Sequence, residues 1–270
     1  MSIDLTDIRA WLSELEAKGC APATTRKAYQ LLASILKEGV RERRLARTPC
    51  EDISSADLPK IEPGEMRFLT KAQIGELASA IDPHYRSLVI VAAATGLRFG
   101  ELTALRVKHL DQLRRLIHVK EGMTDVEGQL SFGPLKTKAS RRTVSIPKFV
   151  VGFMVDAIST RPSLGADDLI FVGKAGAPLR ASNFRQRFWE PAVRASVGAP
   201  CRFHDLRHSH AAILISAGVH PKVIQRRLGH SSIKTTLDTY GHVFEGLDQE
   251  ASVAFETAWL TAPIGEIAAP

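Results

Sequence analysis

Cysteine is scarce in this chain: Cys20, Cys50 and Cys201 are few, odd in number and far apart. That argues against a disulfide framework and against a zinc site with paired Cys-x-x-Cys spacing, and it suits a reducing cytosol. Long apolar runs are also missing. The longest, 88–94, falls far short of the ~20 residues that a membrane helix needs, so no membrane association is expected. The first residues show no basic stretch followed by an apolar one, so no secretory leader is expected either. There are no internal repeats and no low-complexity tracts. What is present is an apolar content of 44% over 270 residues, enough for a sizeable core and suited to two domains of ~100–200 residues each. The formal net charge of +7 favours nucleic acid or another polyanion as partner without choosing between them.

Ile8, Trp11, Leu12 and Leu15 recur at helical spacing, which predicts a helix over 4–19 stopped by Gly19. Thr24 is placed to cap a second helix running to about Arg44, with Ala28, Leu31, Leu32, Ile35 and Leu36 on its apolar side. That helix ends in Arg41, Arg43, Arg44 and Arg47. These cations have two readings: a solvated helix end that complements the dipole, or phosphate contacts along DNA. Residues 49–67 carry Pro49, Pro59, Pro63 and Gly64 among polar side chains and read as a linker, dividing a domain of 1–60 from one of 61–270.

Beyond the linker, Thr70 and Gln73 have capping-box spacing for a helix reaching about Ile81. Residues 84–95 are apolar on most sides, which predicts a buried helix; Gly96 ends it and another begins near Arg98. The runs 116–119 and 143–146 read as strands of one small antiparallel sheet of two or three strands. Asp125, Glu127, Gly128, Gly133 and Pro134 between them are turn residues. Helices are expected at 148–160 and 182–197. The tail reads helix, turn, helix, turn, helix: 205–217, then 221–228 opened by Pro221 and closed by Gly229, then a short helix capped by Ser231 or Ser232 in which Ile233, Leu237 and Tyr240 share a face. The class is mainly α with a small antiparallel β-sheet, an α+β fold.

Several segments carry side chains suited to attack on a phosphodiester. Such an attack gathers negative charge on the non-bridging oxygens, and without a metal the planar, permanently charged guanidinium is the best protein substitute. Arg98 and Arg207 are the candidates to clamp both oxygens. His204 stands three residues before Arg207 and can face the same way at a helix start. His230, in the loop after Leu228 and Gly229, can reach into the same site. Tyr240 is the candidate nucleophile. A free phenol has a pKa of about 10, so surrounding cations and a nearby base are needed to favour the phenolate. The resulting phosphotyrosyl link keeps the bond energy, so rejoining needs no ATP. The departing 5′-oxygen needs a proton, and Lys136 and Lys138 both sit on a turn from which an ammonium can reach it; spacing does not decide between them. Each group also has a plainer reading. Arg98 can pair with Glu101, the histidines and the tyrosine can be structural, and Lys136, Lys138, Arg141 and Arg142 can form a solvated hairpin. A metal held by His204 and His208, at i and i+4, lacks a carboxylate placed as in His-Glu-x-x-His, and Arg207 would repel the cation; no metal is expected.

The motifs Ala94-Thr95-Gly96-Leu97-Arg98-Phe99-Gly100-Glu101-Leu102, Leu135-Lys136-Thr137-Lys138-Ala139-Ser140-Arg141-Arg142, His204-Asp205-Leu206-Arg207-His208-Ser209-His210-Ala211, Arg227-Leu228-Gly229-His230-Ser231 and Leu237-Asp238-Thr239-Tyr240-Gly241-His242 follow one another in a recognisable order. In these, residues 68–245 resemble the catalytic domain of a tyrosine recombinase of the phage-integrase type. The resemblance implies catalytic roles for Arg98, Lys136, His204, Arg207, His230 and Tyr240, so that Lys136 rather than Lys138 supplies the proton. DNA contacts are expected from Arg41, Arg43, Arg44, Lys138, Arg141 and Arg142, and no cofactor is expected. The resemblance further implies double-stranded attachment sites as substrate, a homotetramer in the synaptic complex with a monomer in solution, accessory DNA-bending or directionality factors, and work at the nucleoid of a bacterial cytoplasm. Leu247, Val253, Phe255 and Trp259 are expected to pack either on a neighbouring protomer or on their own domain. Residues 4–60 resemble only part of the family's helical core-binding domain. Two other readings stand beside this one: a type IB topoisomerase, and a non-catalytic DNA-binding protein that uses 206–228 as a helix-turn-helix.

Overall fold

The computed structural model describes residues 3–61, 66–135, 137, 139–161, 163–198, 200–244 and 248–261. The chain divides into two compact units, Met1–Glu65 and Met66–Pro270, a boundary five residues beyond the expected one.

The first unit is a helical pair. Helix α1 (Leu5–Ala17) opens with a capping box in which Asp4 and Asp7 each accept the other's backbone N–H. Helix α2 (Pro22–Arg41) starts earlier than Thr24, because Pro22 is already set for a first helical turn and the Ala21 carbonyl takes the Thr24 N–H at 2.8 Å. Ile8 and Leu12 of α1 close on Tyr29 of α2 and on Cys50. Cys50 lies in a 3-10 turn, Pro49–Asp52, and accepts the Tyr29 hydroxyl on its carbonyl at 3.1 Å. The first part of the expected linker is therefore core, not linker. Arg41, Arg43 and Arg44 are exposed at the end of α2; Arg41 pairs with Glu38 at 2.5 Å and Arg44 with Glu42 at 2.8 Å. Exposed pairs of this kind are worth ~0–1 kcal/mol, so they leave the arginines able to exchange partners.

In the second unit, α3 (Lys71–Ala80) begins at the Thr70–Gln73 capping box. Helix α4 (Pro83–Thr95) lies in the core, with Leu88, Val89 and Val91 at 1% exposure or less. Each such side chain stabilises the fold by ~1.5–3 kcal/mol relative to exposure. A single turn, α5 (Phe99–Leu102), follows. Strands β1 (Leu110–Asp111), β2 (Leu116–Val119) and β5 (Arg142–Ser145) form one antiparallel sheet in the order β1-β2-β5, with Val119 opposite Arg142. Strands β3 (Glu121–Val126) and β4 (Gln129–Pro134) form a separate hairpin where only turns were expected. Its tip, Glu127-Gly128, takes positive φ at both residues, the conformation whose twist suits a two-residue hairpin.

Helix α6 (Lys148–Ser159) packs on α4. The single helix expected over 182–197 is three pieces: α7 (Ala181–Phe184), a π-turn at Arg185–Trp189, and α8 (Glu190–Ala195). Pro191 has no N–H to continue an α-helical ladder, which accounts for the break. The tail is α9 (Asp205–Ser216), α10 (Pro221–Leu228), α11 (Ile233–Phe244) and α12 (Asp248–Thr261). Val253, Phe255 and Trp259 of α12 are 58%, 67% and 58% exposed, so the expected packing on their own domain is not found; Leu247 lies outside the described residues. Among the described residues no helix is long and apolar enough to cross a membrane.

Candidate active site

Arg98 stands where α4 gives way to α5. Its backbone N–H donates to Glu101 Oε2 at 2.9 Å and its guanidinium donates to Oε1 at 3.0 Å. The plain reading of Arg98 as a partner of Glu101 is thus correct, yet the arginine side chain stays 40% exposed while the carboxylate is 4% exposed. Glu101 also receives both terminal nitrogens of Arg142, at 3.0 Å each. Arg142 donates further to the carbonyls of Arg227 (2.7 Å) and Ser140 (3.0 Å), and its side chain is 7% exposed. Expected as a DNA contact, it is instead an internal strut joining β5, α5 and the end of α10. Gly229 makes room for it: φ is +69°, and a Cβ there would stand 2.8 Å from the Arg142 guanidinium.

Arg207, in the first turn of α9, is 2% exposed. Its two terminal nitrogens donate to the carbonyls of Gly96 (2.6 Å) and Leu228 (2.7 Å), at the C-terminal ends of α4 and α10. A cation is favoured at both helix ends. Burial, and then the nearby Arg98, pull its guanidinium down to about 9, still protonated at neutral pH. His204 precedes α9 and opens to solvent, but crowding by the protein, His208, Arg207 and Arg98 draws it down to about 4. His230 follows Gly229. Its carbonyl accepts from Gln225 at 3.0 Å and its Nδ1 meets the Thr236 hydroxyl at 2.8 Å. Burial, Arg207 and Arg98 lower it as well, to about 4. Both imidazoles are therefore neutral near pH 7.

Tyr240 on α11 is 1% exposed, and its hydroxyl lies 3.0 Å from Nδ1 of His208 on α9. Burial raises its phenol above the ordinary value; Arg207 and Arg98 oppose this and do not overcome it. Arg207 and Arg98 do favour the phenolate, as expected, but desolvation outweighs their attraction. The same two guanidiniums, Arg207 and Arg98, thus act on His204, His230 and Tyr240 together. The arrangement offers fixed positive charge, neutral imidazoles and a buried phenol in one place, groups of the kind that metal-free phosphoryl transfer can use.

The chain matches the Phage integrase family over residues 67–246. It is 31% identical over 258 residues to the ICEBs1 integrase of Bacillus subtilis (strain 168), an alignment covering 92% of this chain and 68% of that one. It belongs to the phage integrase family. Family members are tyrosine recombinases, enzymes that break and rejoin DNA. A second relative, the integrase of Mycobacterium phage L5, is 29% identical over 231 residues, covering 83% of this chain and 60% of that one. The chain thus spans about two thirds or less of the length of these relatives. The fold is shared with the Tn1549 transposon integrase in complex with a circular intermediate DNA, at a TM-score of 0.80 and 22% identity over 95% of this chain and 85% of that one.

Within this integrase-family site, Arg98, His204, Arg207, His230 and Tyr240 converge, whereas Lys136 and Lys138 lie outside the described residues. Arg141 is exposed and lines a cleft with Lys222, Arg226 and His230. Lys222 and Arg226 were not foreseen; their exposed places on α10 next to the His230 loop were a readable signal. The sequence offers His208 only as a metal ligand, although its i+4 spacing from His204 places it on the same helix face. His210 stands apart from the other histidines: Arg227 donates to its Nε2 at 2.8 Å, so its proton sits on Nδ1 and is donated to the Ala93 carbonyl at 2.9 Å.

Proposed function

We propose that this chain is a site-specific DNA recombinase that cuts and rejoins DNA through a 3′-phosphotyrosyl link, without metal or ATP. Arg98 and Arg207 bind the non-bridging oxygens, His204 and His230 donate to the same phosphate, Tyr240 attacks, and Lys136 protonates the departing 5′-oxygen. The observation that carries the reading is the set of hydrogen bonds that ties the motifs together: Arg207 holds the Gly96 and Leu228 carbonyls, two residues before Arg98 and His230, and the same helix brings His208 to 3.0 Å from the Tyr240 hydroxyl. The reading as a DNA-binding protein without chemistry needs no Arg98 or Tyr240 and leaves their joint presence unexplained.

The substrate on this reading is a pair of double-stranded attachment sites, as fits relatives named for a phage and for the mobile element ICEBs1. Residues 1–65 act as a core-binding domain whose Arg41, Arg43 and Arg44 meet phosphates, joined in the catalytic unit by Lys138 and Arg141, while Arg142 serves the site from within. Synapsis brings four copies together at the nucleoid, with accessory factors setting direction. The exposed apolar side chains of α12 suit contact with a neighbouring copy in that assembly.

The test uses a nicked suicide duplex, built from sequence recovered by binding selection out of a random pool, in the presence of EDTA. The wild-type chain should leave an adduct that survives denaturation. Salt-sensitive binding that never becomes covalent would favour the DNA-binding alternative, and relaxation of supercoiled DNA without sequence preference would favour a topoisomerase.

A further inference from the structure

Attack by Tyr240 requires its proton to leave, and two neighbouring guanidiniums do not suffice to release it in so enclosed a place. The group that touches the phenol is His208. Its Nδ1 lies 3.0 Å from the Tyr240 hydroxyl, in a bond between two buried side chains on separate helices. The two rings meet edge to face with centroids 5.7 Å apart, which fixes the direction of approach. On its other side the His208 ring packs against His204 at 4.8 Å. Among the described residues no other histidine of the site bonds to Tyr240; His230 has its Nδ1 engaged by Thr236.

We propose that His208 is the proton acceptor for Tyr240, an inference that rests on the phosphotyrosyl reading above. In the cleavage step a bond forms between Tyr240 Oη and phosphorus, and the bond from phosphorus to the 5′-oxygen breaks. The phenolic proton passes to His208 Nδ1, while the departing oxygen takes a proton from a separate acid. Rejoining reverses each transfer, and His208 returns the proton to Tyr240. The role requires a neutral imidazole with its hydrogen on Nε2 before attack. The setting provides neutrality. Burial lowers the proton affinity of His208, Arg202 and Arg207 lower it further, and Asp205 opposes them. The remaining titratable neighbours are His204, itself neutral near pH 7, and Tyr240 from α11. His204 is exposed, so a proton gained by His208 lies one ring from solvent.

The experiment compares single-turnover cleavage by the full chain and by His208→Asn and His208→Ala on the nicked suicide duplex, across pH. Asparagine keeps an oxygen near the Nδ1 position and so keeps the hydrogen bond, but it cannot hold the proton. Cleavage by His208→Asn should be about 10²–10⁴-fold slower at neutral pH with DNA binding unchanged, the usual worth of a positioned base. Its rate should climb with pH as hydroxide takes over, whereas the wild-type rate is level near neutrality and falls on the acid side as His208 protonates. Fluorotyrosine at position 240, a more acidic phenol, should restore much of the loss in His208→Asn. If His208→Asn cleaves as fast as wild type, or faster, the histidine merely holds the phenol and the proposal is overturned, while the adduct keeps the recombinase reading alive. A wild-type chain that forms no adduct overturns both. Should the variants misfold, nitrogen NMR of histidine-labelled wild-type protein decides: an unprotonated Nδ1 on His208 is required, and a hydrogen bound there overturns the proposal.

Discussion

A carboxylate at 3% exposure would ordinarily take up a proton, since burial alone raises its affinity. Glu101 does the opposite, because hydrogen bonds from Arg142 and charge from Arg142 and Arg98 outweigh desolvation and hold it below its ordinary value. Removing it would leave the nearly buried Arg142 guanidinium without its counter-charge. Glu101→Ala should therefore cost ~3–5 kcal/mol in urea unfolding, the usual penalty for an orphaned buried ion. A loss under ~1 kcal/mol would mean that Arg142 finds another partner. The site histidines set a pH dependence of the same sign. His204 and His230 titrate at about 4 and His210 at about 3 in the folded chain, below their ordinary 6.5. As pH falls below about 6.5 the unfolded chain binds protons that the folded chain refuses, so stability drops until the folded values are reached. Glu101 adds to the loss at the acid end, because its folded value is also depressed. Thermal midpoints should decline steadily from about pH 6.5 to about pH 3; a midpoint that holds level or rises would contradict these environments.

Among the elements, the short turn α5 is held by close approach rather than by its own length. A Cβ on Gly100 would stand 2.4 Å from the Met123 carbonyl oxygen on β3. Gly100→Ala should push α5 off the hairpin at a cost of ~1–3 kcal/mol, and should slow DNA cleavage more than it weakens binding, because Arg98 and Glu101 flank the glycine. Equal unfolding midpoints for the variant and wild type would show that the hairpin gives way freely. The tail helices were legible in advance because Gly218, Pro221 and Gly229 punctuate them. The hairpin β3–β4 was not legible. Only Met123 of its two strands is buried, and alternation of polar and apolar residues is confined to the four residues 129–132, too short a pattern to mark a pair of strands. The π-turn before α8 escaped the apolar periodicity of 182–197, although Pro191 was a signal of it. In the candidate site, motif spacing singles out Arg98, His204, Arg207, His230 and Tyr240. It did not disclose that Arg142 points inward or that Tyr240 bonds to His208. Both depend on contacts between residues 32 to 85 positions apart, which no local pattern encodes.

At the scale of the molecule, two compact units each close a core of their own, and both present arginines to solvent. With a formal charge of +7 the chain suits a polyanion long enough to engage both. The chemistry nevertheless falls within the second unit, where every described group of the site resides. Arg98 and His204 open to solvent while Arg207 and Tyr240 are buried, so on the proposed reading DNA settles onto the exposed pair before the phenol reaches phosphorus. The most direct test of this account is mass-spectrometric mapping of the protein–DNA adduct trapped on a nicked suicide duplex. The account predicts a single modified peptide bearing the nucleotide remnant on Tyr240, and no adduct from Tyr240→Phe even though it still binds DNA. A remnant on any other residue, or an adduct that persists in Tyr240→Phe, would contradict it.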